Sequence, residues 1–496
     1  MGQKRDQKPQ QLIPNYPYLM VVSGLLAIAA LIIYTTRWAW FEIGWFASLI
    51  ILAGWLYLLS RLMRRALNSL LSPELQNIIQ LLHQRARIIN VPRRVELCCL
   101  ALHLLLKQGS ERLWASLKFE MGTFFVLTSL GNRTKNIEDA IAAFNQALLV
   151  WTQTTFPVEW VRTLDNLAIA YTNRIHGDRA QNIEDAIAAY EQSLTVRTQS
   201  AMPIEWARTL NNLGNAYTDR LRGEREQNLE DAIAAYQKSL IIRTRTAMPI
   251  EWARTLNNLG NAYTNRIRGD RAQNIEDAIA AYQQALTIRT PTAMPVEWAQ
   301  TMSNLAVVYA SRIREDRAQN LEEAIAAYQQ ALTIRTQTAL PVEWAQTMMN
   351  LATAYSDRIR GDRADNLEEA IATYQQALTV LTHTAMPIDW AATMNNLALA
   401  LFNRIRGDRA QNIEDAIVAC QQALTVRTQT ALPFEWAQSM MNLANAYQNR
   451  IRGDRAQNIE DAIATYQQVL TILTQAAMPI EWATTMMNLV QHSERG

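Results

Sequence analysis

The chain has 496 residues, and its 47 Lys and Arg side chains are nearly balanced by 45 Asp and Glu, for a formal net charge of +2. So small a net charge produces no global field of the kind that attracts nucleic acid, so we expect no nucleic-acid partner. The length is too great for one compact core unless the chain is a repeat array. Three cysteines without framework spacing indicate reduced thiols and a cytosolic body.

Two apolar segments come first, at residues 19–36 and 43–60, each with 18 consecutive uncharged residues. A helix of that length is close to the minimum for crossing a bilayer, and the six-residue connection suits a transmembrane hairpin. A cleaved signal peptide is the alternative for residues 19–36, but no small-residue cleavage site follows and a second apolar segment comes at once. Basic residues stand before the first segment and after the second, namely Lys4, Arg5 and Lys8, then Arg61, Arg64 and Arg65.

This charge pattern predicts an integral protein, with residues 1–18 as a cytoplasmic N-terminal tail and the body also in the cytoplasm. Residues 61–110 carry eight basic and two acidic side chains and are predicted to be an amphipathic juxtamembrane helical linker that rests on the membrane or caps the repeat array. The pairs Ser23/Ala27 and Gly44/Ser48 have the small-residue spacing that packs membrane helices, so a homo-oligomer is a further possibility.

A period of 46 residues dominates the rest of the chain. It is marked by the tryptophans Trp160, Trp206, Trp252, Trp298, Trp344, Trp390, Trp436 and Trp482, and Trp114 starts a divergent first unit. Self-similarity at such a period is typical of stacked helical hairpins. An aromatic at fixed helical spacing is more often a packing residue than a ligand, so we expect these indoles to pack between repeats.

Within one unit, PIEWARTLNNLGNAYTNR (249–266) predicts a first helix that begins at Pro249, with an apolar face from Trp252 to Tyr263. Gly269 is expected to adopt positive φ in the loop, and Asn274 is expected to cap a second helix. Neither helix can bury its apolar side alone, so the hairpins must stack on one another.

The spacing of Leu259, Gly260 and Tyr263, followed by Ala278, Tyr282 and Ala285, resembles the tetratricopeptide signature. That signature spans 34 residues, and here two insertions of about six residues lengthen it. The long form resembles kinesin light chain repeats and the arrays that precede caspase-like (CHAT) domains in cyanobacterial proteins. The resemblance covers residues 111–496 and implies an all-α, right-handed superhelical solenoid in a bacterial protein, which makes the bacterial inner membrane the expected location of the hairpin.

An asparagine stands six residues after each repeated tryptophan, although Asn is a poor helix-interior residue. The set is Asn166, Asn212, Asn258, Asn304, Asn350, Asn396, Asn442 and Asn488. First helices line the concave face of tetratricopeptide-like arrays, so these amides are candidates for gripping the backbone of a bound peptide, as the resemblance also implies. The alternative is a hydrogen bond between repeats that only supports the scaffold.

Two residues after the tryptophan, the first three units carry Arg162, Arg208 and Arg254, whereas later units carry uncharged residues. These arginines are candidates for binding an acidic segment of a partner, with a solvated or internally paired arginine as the alternative. Loop arginines such as Arg266, Arg268 and Arg271 are expected to pair locally with Asp270, Glu276 and Asp277.

These patterns predict a membrane-anchored scaffold that binds a protein or peptide in the groove of its array. The alternative is a regulatory or sensor component of a bacterial conflict or stress-response system with a pore-forming hairpin, whose induced expression would depolarise cells. An enzyme is the third possibility, but the sequence has no nucleophile–base pair and no phosphate loop. We therefore predict no catalytic residues, no metal site and no cofactor.

Overall fold

The computed structural model describes residues 111–128, 131–476 and 478–493, with short helical pieces at 74–75, 77–78 and 96–101. The predicted tail, both predicted membrane segments and most of the predicted linker lie outside these residues. Within the described part, no helix is both long and apolar enough to span a bilayer. The chain consists of two compact units, residues 1–121 and 122–496. In the first unit the side chains of Leu75, Ile78, Leu97 and Cys98 are buried.

From residue 111 onward the described chain is built from helices joined by short loops, with no strand among the described residues. The helices are α1 (Glu111–Leu127), α2 (Arg133–Leu148), α3 (Pro157–Thr172), α4 (Arg179–Leu194), α5 (Pro203–Asp219), α6 (Arg225–Ile242), α7 (Pro249–Thr264), α8 (Arg271–Leu286), α9 (Pro295–Ala310), α10 (Arg317–Leu332), α11 (Pro341–Asp357), α12 (Arg363–Ala377), α13 (Pro387–Asn403), α14 (Arg409–Leu424), α15 (Pro433–Gln448), α16 (Arg455–Val469) and α17 (Pro479–Ser493).

Each first helix of a pair, from α3 onward, begins at a proline, as predicted. In α7, Pro249 occupies the first helical position, where a missing N–H leaves nothing unsatisfied, and Glu251 lies in the first turn near the positive end of the helix dipole. The tryptophans stand at equivalent half-buried positions near the start of these helices. Trp252 packs against a buried cluster that includes Leu256 and Ala281, together with Leu240 of the preceding repeat, which agrees with the predicted packing between repeats.

The second helices begin one turn earlier than predicted. Asp270 caps α8 and accepts a hydrogen bond from the backbone N–H of Ala272 at 3.1 Å, so the prediction that Asn274 is the cap was wrong. Asn274 is instead buried in the first turn, where its Nδ2 donates to the carbonyl oxygen of Arg268 at 2.8 Å. The loop glycine before the cap, Gly269, has a φ of +81°, as expected.

Stacking builds a continuous core within residues 122–496. Each first helix packs on its own second helix, and each second helix packs on the next first helix. Between α8 and α9, for example, Ile275, Ile279 and Tyr282 bury their side chains against Leu305 and Val308. Consecutive first helices also contact each other directly from α5 to α15, so they form one continuous side of the stack, here called the first-helix face.

Candidate functional site

The first-helix face carries a polar stripe on several of its helices. In α7 the stripe runs through Arg254, Asn258, Asn261 and Asn265, which follow one another at helical spacings of four, three and four residues. Arg254 and Asn265 are exposed, and Asn258 and Asn261 are half-buried. The residues predicted from sequence to bind a partner therefore share one side of their helix with further amides.

The asparagines that follow each repeated tryptophan by six residues, here called the asparagine ladder, make several contacts within the array. Asn258 Nδ2 donates to Asn215 Oδ1 at 3.0 Å, and Asn304 Nδ2 donates to Asn261 Oδ1 at 3.1 Å, in both cases one unit back. Further ladder contacts join Asn166 to Thr123, Asn442 to Asn395, Asn212 to Asn211, and Asn396 to Asn395. Four of these six contacts join different repeats, as the scaffold alternative predicts. The contacts of Asn212 and Asn396 are with the adjacent residue of the same helix.

Asn350 differs from the rest of the ladder. The residue is half-buried, and its side-chain amide makes no hydrogen bond within the part of the chain that the structure describes. The neighbouring Thr353 hydroxyl instead lies 2.8 Å from the Tyr374 hydroxyl. The ladder therefore combines amides with internal partners and one amide whose hydrogen-bonding groups are available to a ligand.

The three predicted binding arginines are all exposed on first helices. Arg208 Nη2 lies 3.7 Å from Asp165 Oδ2 of the preceding unit, with 52% of the Arg208 side chain exposed. Arg162 and Arg254 occupy the equivalent places on α3 and α7. Arg208 therefore reaches back to the preceding first helix.

Behind these residues lies a row of arginines that sequence analysis missed, all of them buried except Arg335, which is half-buried. Each follows a second helix and inserts between two first helices at a place we call a junction. At one junction Arg243 Nη1 donates to Thr255 Oγ1 at 2.9 Å, and the Thr255 hydroxyl donates to Asn211 Oδ1 at 3.0 Å. Equivalent contacts join Arg197, Thr209 and Asp165, then Arg289, Thr301 and Asn257, then Arg335, Thr347 and Ser303.

The composition of the junctions follows a rule. Where a first helix has Asp, Asn or Ser at the position equivalent to Asn211, the residue 32 positions later is an arginine. Where that position is methionine, the later residue is a leucine, as in Met349 with Leu381 and Met441 with Leu473. Leu381 and Leu473 are buried, so the apolar pair replaces the polar pair in the same space. A buried guanidinium needs polar partners, which explains why the two positions change together.

Similarity to known proteins agrees with this architecture. The tetratricopeptide repeat model matches residues 252–289, 298–338, 344–378, 390–430 and 436–470. These segments are tetratricopeptide repeats. The pairs α3–α4 and α5–α6 have the same period, the same proline start and equivalent junction contacts, so they continue the same helical array toward the amino terminus.

Several solved structures are similar to the chain. BtubC (BKLC) from P. vanneervenii is 17% identical, with 51% of this chain and 91% of that chain covered and a TM-score of 0.37. A structure of kinesin light chain TPR-like repeats from Podosopora anserina is 16% identical, covering 47% and 99%, with a TM-score of 0.34. The apo form of RapI is 12% identical, covering 80% and 98%, with a TM-score of 0.48. No curated protein matches the chain.

Burial sets the electrostatics of the junctions in the tetratricopeptide array. It lowers the pKa of Arg243 to about 10, and the nearby Arg254 guanidinium acts in the same direction, while Glu251 opposes them. Burial also lowers the pKa of Arg197, Arg289, Arg335 and Arg427. Asp165 is the carboxylate that forms an ion pair with one of these buried arginines, Arg197.

A second ladder joins the loops of the array to the preceding repeats. Arg266 forms two hydrogen bonds of 2.7 Å with Glu230, and Arg268 pairs with Glu226, both one unit back. Arg271 donates instead to the carbonyl oxygen of Thr264 at the end of α7. The prediction that these loop arginines pair locally was therefore wrong, because Arg266 and Arg268 pair with carboxylates of the preceding repeat and Arg271 bonds a backbone carbonyl.

Proposed function

We propose that the protein is a scaffold that binds a protein or peptide partner along the first-helix face of its tetratricopeptide array. The observation that carries this proposal is the partly exposed stripe that recurs on α5, α7, α9 and α11, where an arginine or a glutamine is followed one turn later by an asparagine. An extended peptide presents one N–H and one carbonyl per residue, and amide side chains can pair with either group. Arg162, Arg208 and Arg254 add positive charge at the amino-terminal part of the face.

The proposal includes a membrane anchor. It rests on the two uncharged segments at 19–36 and 43–60 and on the basic residues that flank them, which favour a hairpin with both ends in the cytoplasm of a bacterial cell. Retention of the chain in membranes after alkaline extraction, and its release when residues 19–60 are deleted, would support the anchor. Complete extraction of the intact chain would contradict it.

Partner binding is tested by crosslinking and affinity capture of the full chain from its own cells. The comparison is a triple variant, N258A/N304A/N350A, with a control that carries Q284A/Q330A/Q376A at exposed positions of the second helices. We expect the ladder variant to lose a defined set of proteins that the control retains. If both variants capture the same proteins in the same amounts, the ladder is structural and the partner does not use it.

A further inference from the structure

The loops that join each first helix to its second helix form one edge of the array, here called the loop edge. It consists of residues 265–271, 311–317, 357–363, 403–409 and 449–455. Ion pairs hold adjacent loops together, since Arg314 Nη2 lies 3.5 Å from Asp270 Oδ2 and Arg452 Nη2 lies 3.6 Å from Asp408 Oδ2, each in the preceding loop. Side chains at equivalent loop positions therefore follow one another along this edge.

An exposed isoleucine stands at the same position of each loop. The five residues are 56–62% exposed, namely Ile267, Ile313, Ile359, Ile405 and Ile451. A single exposed isoleucine is ordinary, but the contacts between adjacent loops place these five in a row. The row is a strip of apolar surface that stays in contact with water in the folded array.

An exposed arginine begins the second helix at the end of each of these loops. The set is Arg271, Arg317, Arg363, Arg409 and Arg455. Each donates to a backbone carbonyl at the end of its first helix, as Arg271 does to Thr264, and this contact orients the guanidinium without cancelling its charge. In the part of the chain that the structure describes, none of the five forms an ion pair with a carboxylate.

The other arginines of the loop edge are balanced by carboxylates of the preceding repeat, as Arg266 is by Glu230. Asp277, further along α8, accepts a hydrogen bond from Gln273. It lies about 9 Å along the helix axis from Arg271. The outermost layer of the loop edge therefore combines isoleucines with unbalanced positive charge.

The opposite edge of the array also has exposed apolar side chains, but its charge is reversed. The residue after the proline that starts each first helix is exposed there, namely Ile250, Val296, Val342, Ile388 and Phe434. A carboxylate follows each of them, namely Glu251, Glu297, Glu343, Asp389 and Glu435. Of the arginines in the described loops that precede these five helices, only Arg245 is exposed. Charge thus distinguishes the two edges.

We propose that the loop edge lies on the surface of an anionic lipid bilayer, with its isoleucines in the interface and its unpaired arginines on lipid phosphates. Apolar side chains gain free energy when they leave water for the interface, and a guanidinium binds phosphate with paired hydrogen bonds. An anionic leaflet attracts basic side chains that lie within a Debye length of it. A nucleic acid would pair with the arginines but leave the isoleucines in water, so the bilayer is the favoured occupant.

This inference rests on the membrane anchor of the proposed function, because the anchor keeps the array near a bilayer and raises its effective concentration there. It goes beyond that anchor in assigning a lipid contact to the array itself. The first-helix face is a different side of the array and remains available to a protein partner.

The test compares positions 405 and 388, which lie at opposite ends of α13 and are 61% and 62% exposed. The full chain carries an environment-sensitive fluorescent amino acid at one of them. It is reconstituted into vesicles of phosphatidylcholine with about one third phosphatidylglycerol. Brominated acyl chains in these vesicles quench only a fluorophore that contacts the bilayer. We expect roughly half of the emission to be quenched at position 405 and almost none at position 388.

Lipid charge and salt test the role of the arginines. In vesicles of phosphatidylcholine alone, the quenching at position 405 should fall about threefold. It should fall similarly when salt is raised from about 0.1 M to about 1 M, because the screening length shortens from about 10 Å to about 3 Å.

Substitutions test the isoleucines beside position 405. I359S/I451S removes the isoleucine of the loop on either side, and V342S/F434S is the matched change on the opposite edge. Quenching at position 405 should fall about threefold in the first variant and stay unchanged in the second.

A second pair of variants tests the charge. R409Q/R455Q should lower the quenching at position 405 about threefold, whereas R409K/R455K keeps the charge and should retain most of it. The lysine variant also loses the guanidinium that bonds the carbonyl oxygens of Phe402 and Gln448, so it separates charge from loop structure. Thermal unfolding of every variant verifies that the fold is kept.

Vesicles that carry the chain but leave position 405 unquenched would overturn the inference and leave the anchor standing. Equal quenching at positions 405 and 388, or quenching that neither I359S/I451S nor R409Q/R455Q reduces, would overturn it too. An unquenched position 405 together with RNA binding that R409Q/R455Q abolishes would assign the loop edge to nucleic acid instead. A chain that does not float with the vesicles would contradict both the anchor and this inference.

Discussion

Arg312 donates two hydrogen bonds of 2.8 Å to Glu276, which lies 36 residues earlier in the preceding repeat. The same two-bond contact recurs from repeat to repeat, joining Arg174 to Glu138, Arg220 to Glu184, Arg266 to Glu230, Arg358 to Glu322, Arg404 to Glu368, and Arg450 to Glu414. These side chains are at most about a third exposed, so the ladder is partly shielded from water and salt. It fixes the spacing of neighbouring repeats at their loops.

This ladder predicts that the array loses stability in acid. The hydrogen bond from arginine lowers the pKa of Glu276 and of its equivalents below the usual value. The stabilisation is therefore fully present above the unfolded-state pKa of about 4.3 and is lost as pH falls through the lowered folded-state value. We expect the thermal midpoint to be nearly constant from pH 7 to 5 and to fall steeply below about pH 4.

The substitution E276Q removes one arginine–glutamate contact of this ladder. We expect it to lower the free energy of unfolding by about 1 kcal/mol at pH 7. It should also weaken the dependence of that free energy on acid pH, because one carboxyl group with a lowered pKa is gone. The control D277N changes the next residue, whose carboxylate accepts a hydrogen bond from Gln273 of its own helix. Chemical denaturation at pH 7 and pH 4 is the measurement, and equal effects of the two variants at both values would refute the role of the ladder.

Glu315 predicts a stabilising substitution. It has a φ of 70°, at the loop position where the other repeats place glycine, such as Gly269 with a φ of +81°. A side chain in this region costs about 1 kcal/mol, and the ion pair of Glu315 with Arg312, at 3.9 Å with 63% exposure, offsets little of it. We expect E315G to raise the denaturation midpoint and G269E to lower it. A lower midpoint for E315G would show that this backbone conformation is not strained.

The junction rule predicts coupling between Met349 and Leu381. L381R would bury a guanidinium beside the thioether of Met349 and should lower the free energy of unfolding by about 2–4 kcal/mol. Adding M349N should recover about 1 kcal/mol, because the new amide can accept from the Thr393 hydroxyl as Asn257 accepts from Thr301. Denaturation midpoints of the two single variants and the double variant form a cycle. If the effect of the double variant equals the sum of the effects of the two single variants, the two positions vary independently.

The asparagine ladder predicts different consequences for Asn258 and Asn350. N258A removes a hydrogen bond to the preceding repeat and should lower stability by about 1 kcal/mol. N350A removes no internal hydrogen bond, so stability should be unchanged or slightly higher because alanine is the better helix former. Reduced partner capture by N350A at unchanged thermal midpoint would assign this amide to binding. A loss of stability in N350A equal to that in N258A would argue against the distinction.

The sequence predicted the repeat architecture well because periodic features report directly on packing. The 46-residue spacing, the proline at the start of α7 and the positive φ of Gly269 all follow from local rules and are confirmed. The prediction of the residue that caps α8 was wrong because Asp270 and Asn274, four residues apart, are both good capping residues. The periodicity of the sequence cannot decide between them.

Contacts between repeats were the part that the sequence alone did not specify. Periodicity shows that Arg243 and Glu230 recur but not which unit supplies their partners, since every unit offers the same candidates. The buried arginines were missed because a charged residue next to a loop is usually exposed. The paired change to Met349 and Leu381, at a constant separation of 32 residues, was the available signal.

Site-specific photocrosslinking in living cells shows whether a partner contacts the first-helix face. A photoreactive residue replaces exposed Gln300 on α9 or, as the matched control, exposed Gln330 on the second helix α10 of the same unit. We expect a crosslink to one defined protein from position 300 and none to that protein from position 330. Crosslinks to that protein from position 330 alone, or in equal yield from both positions, would contradict it.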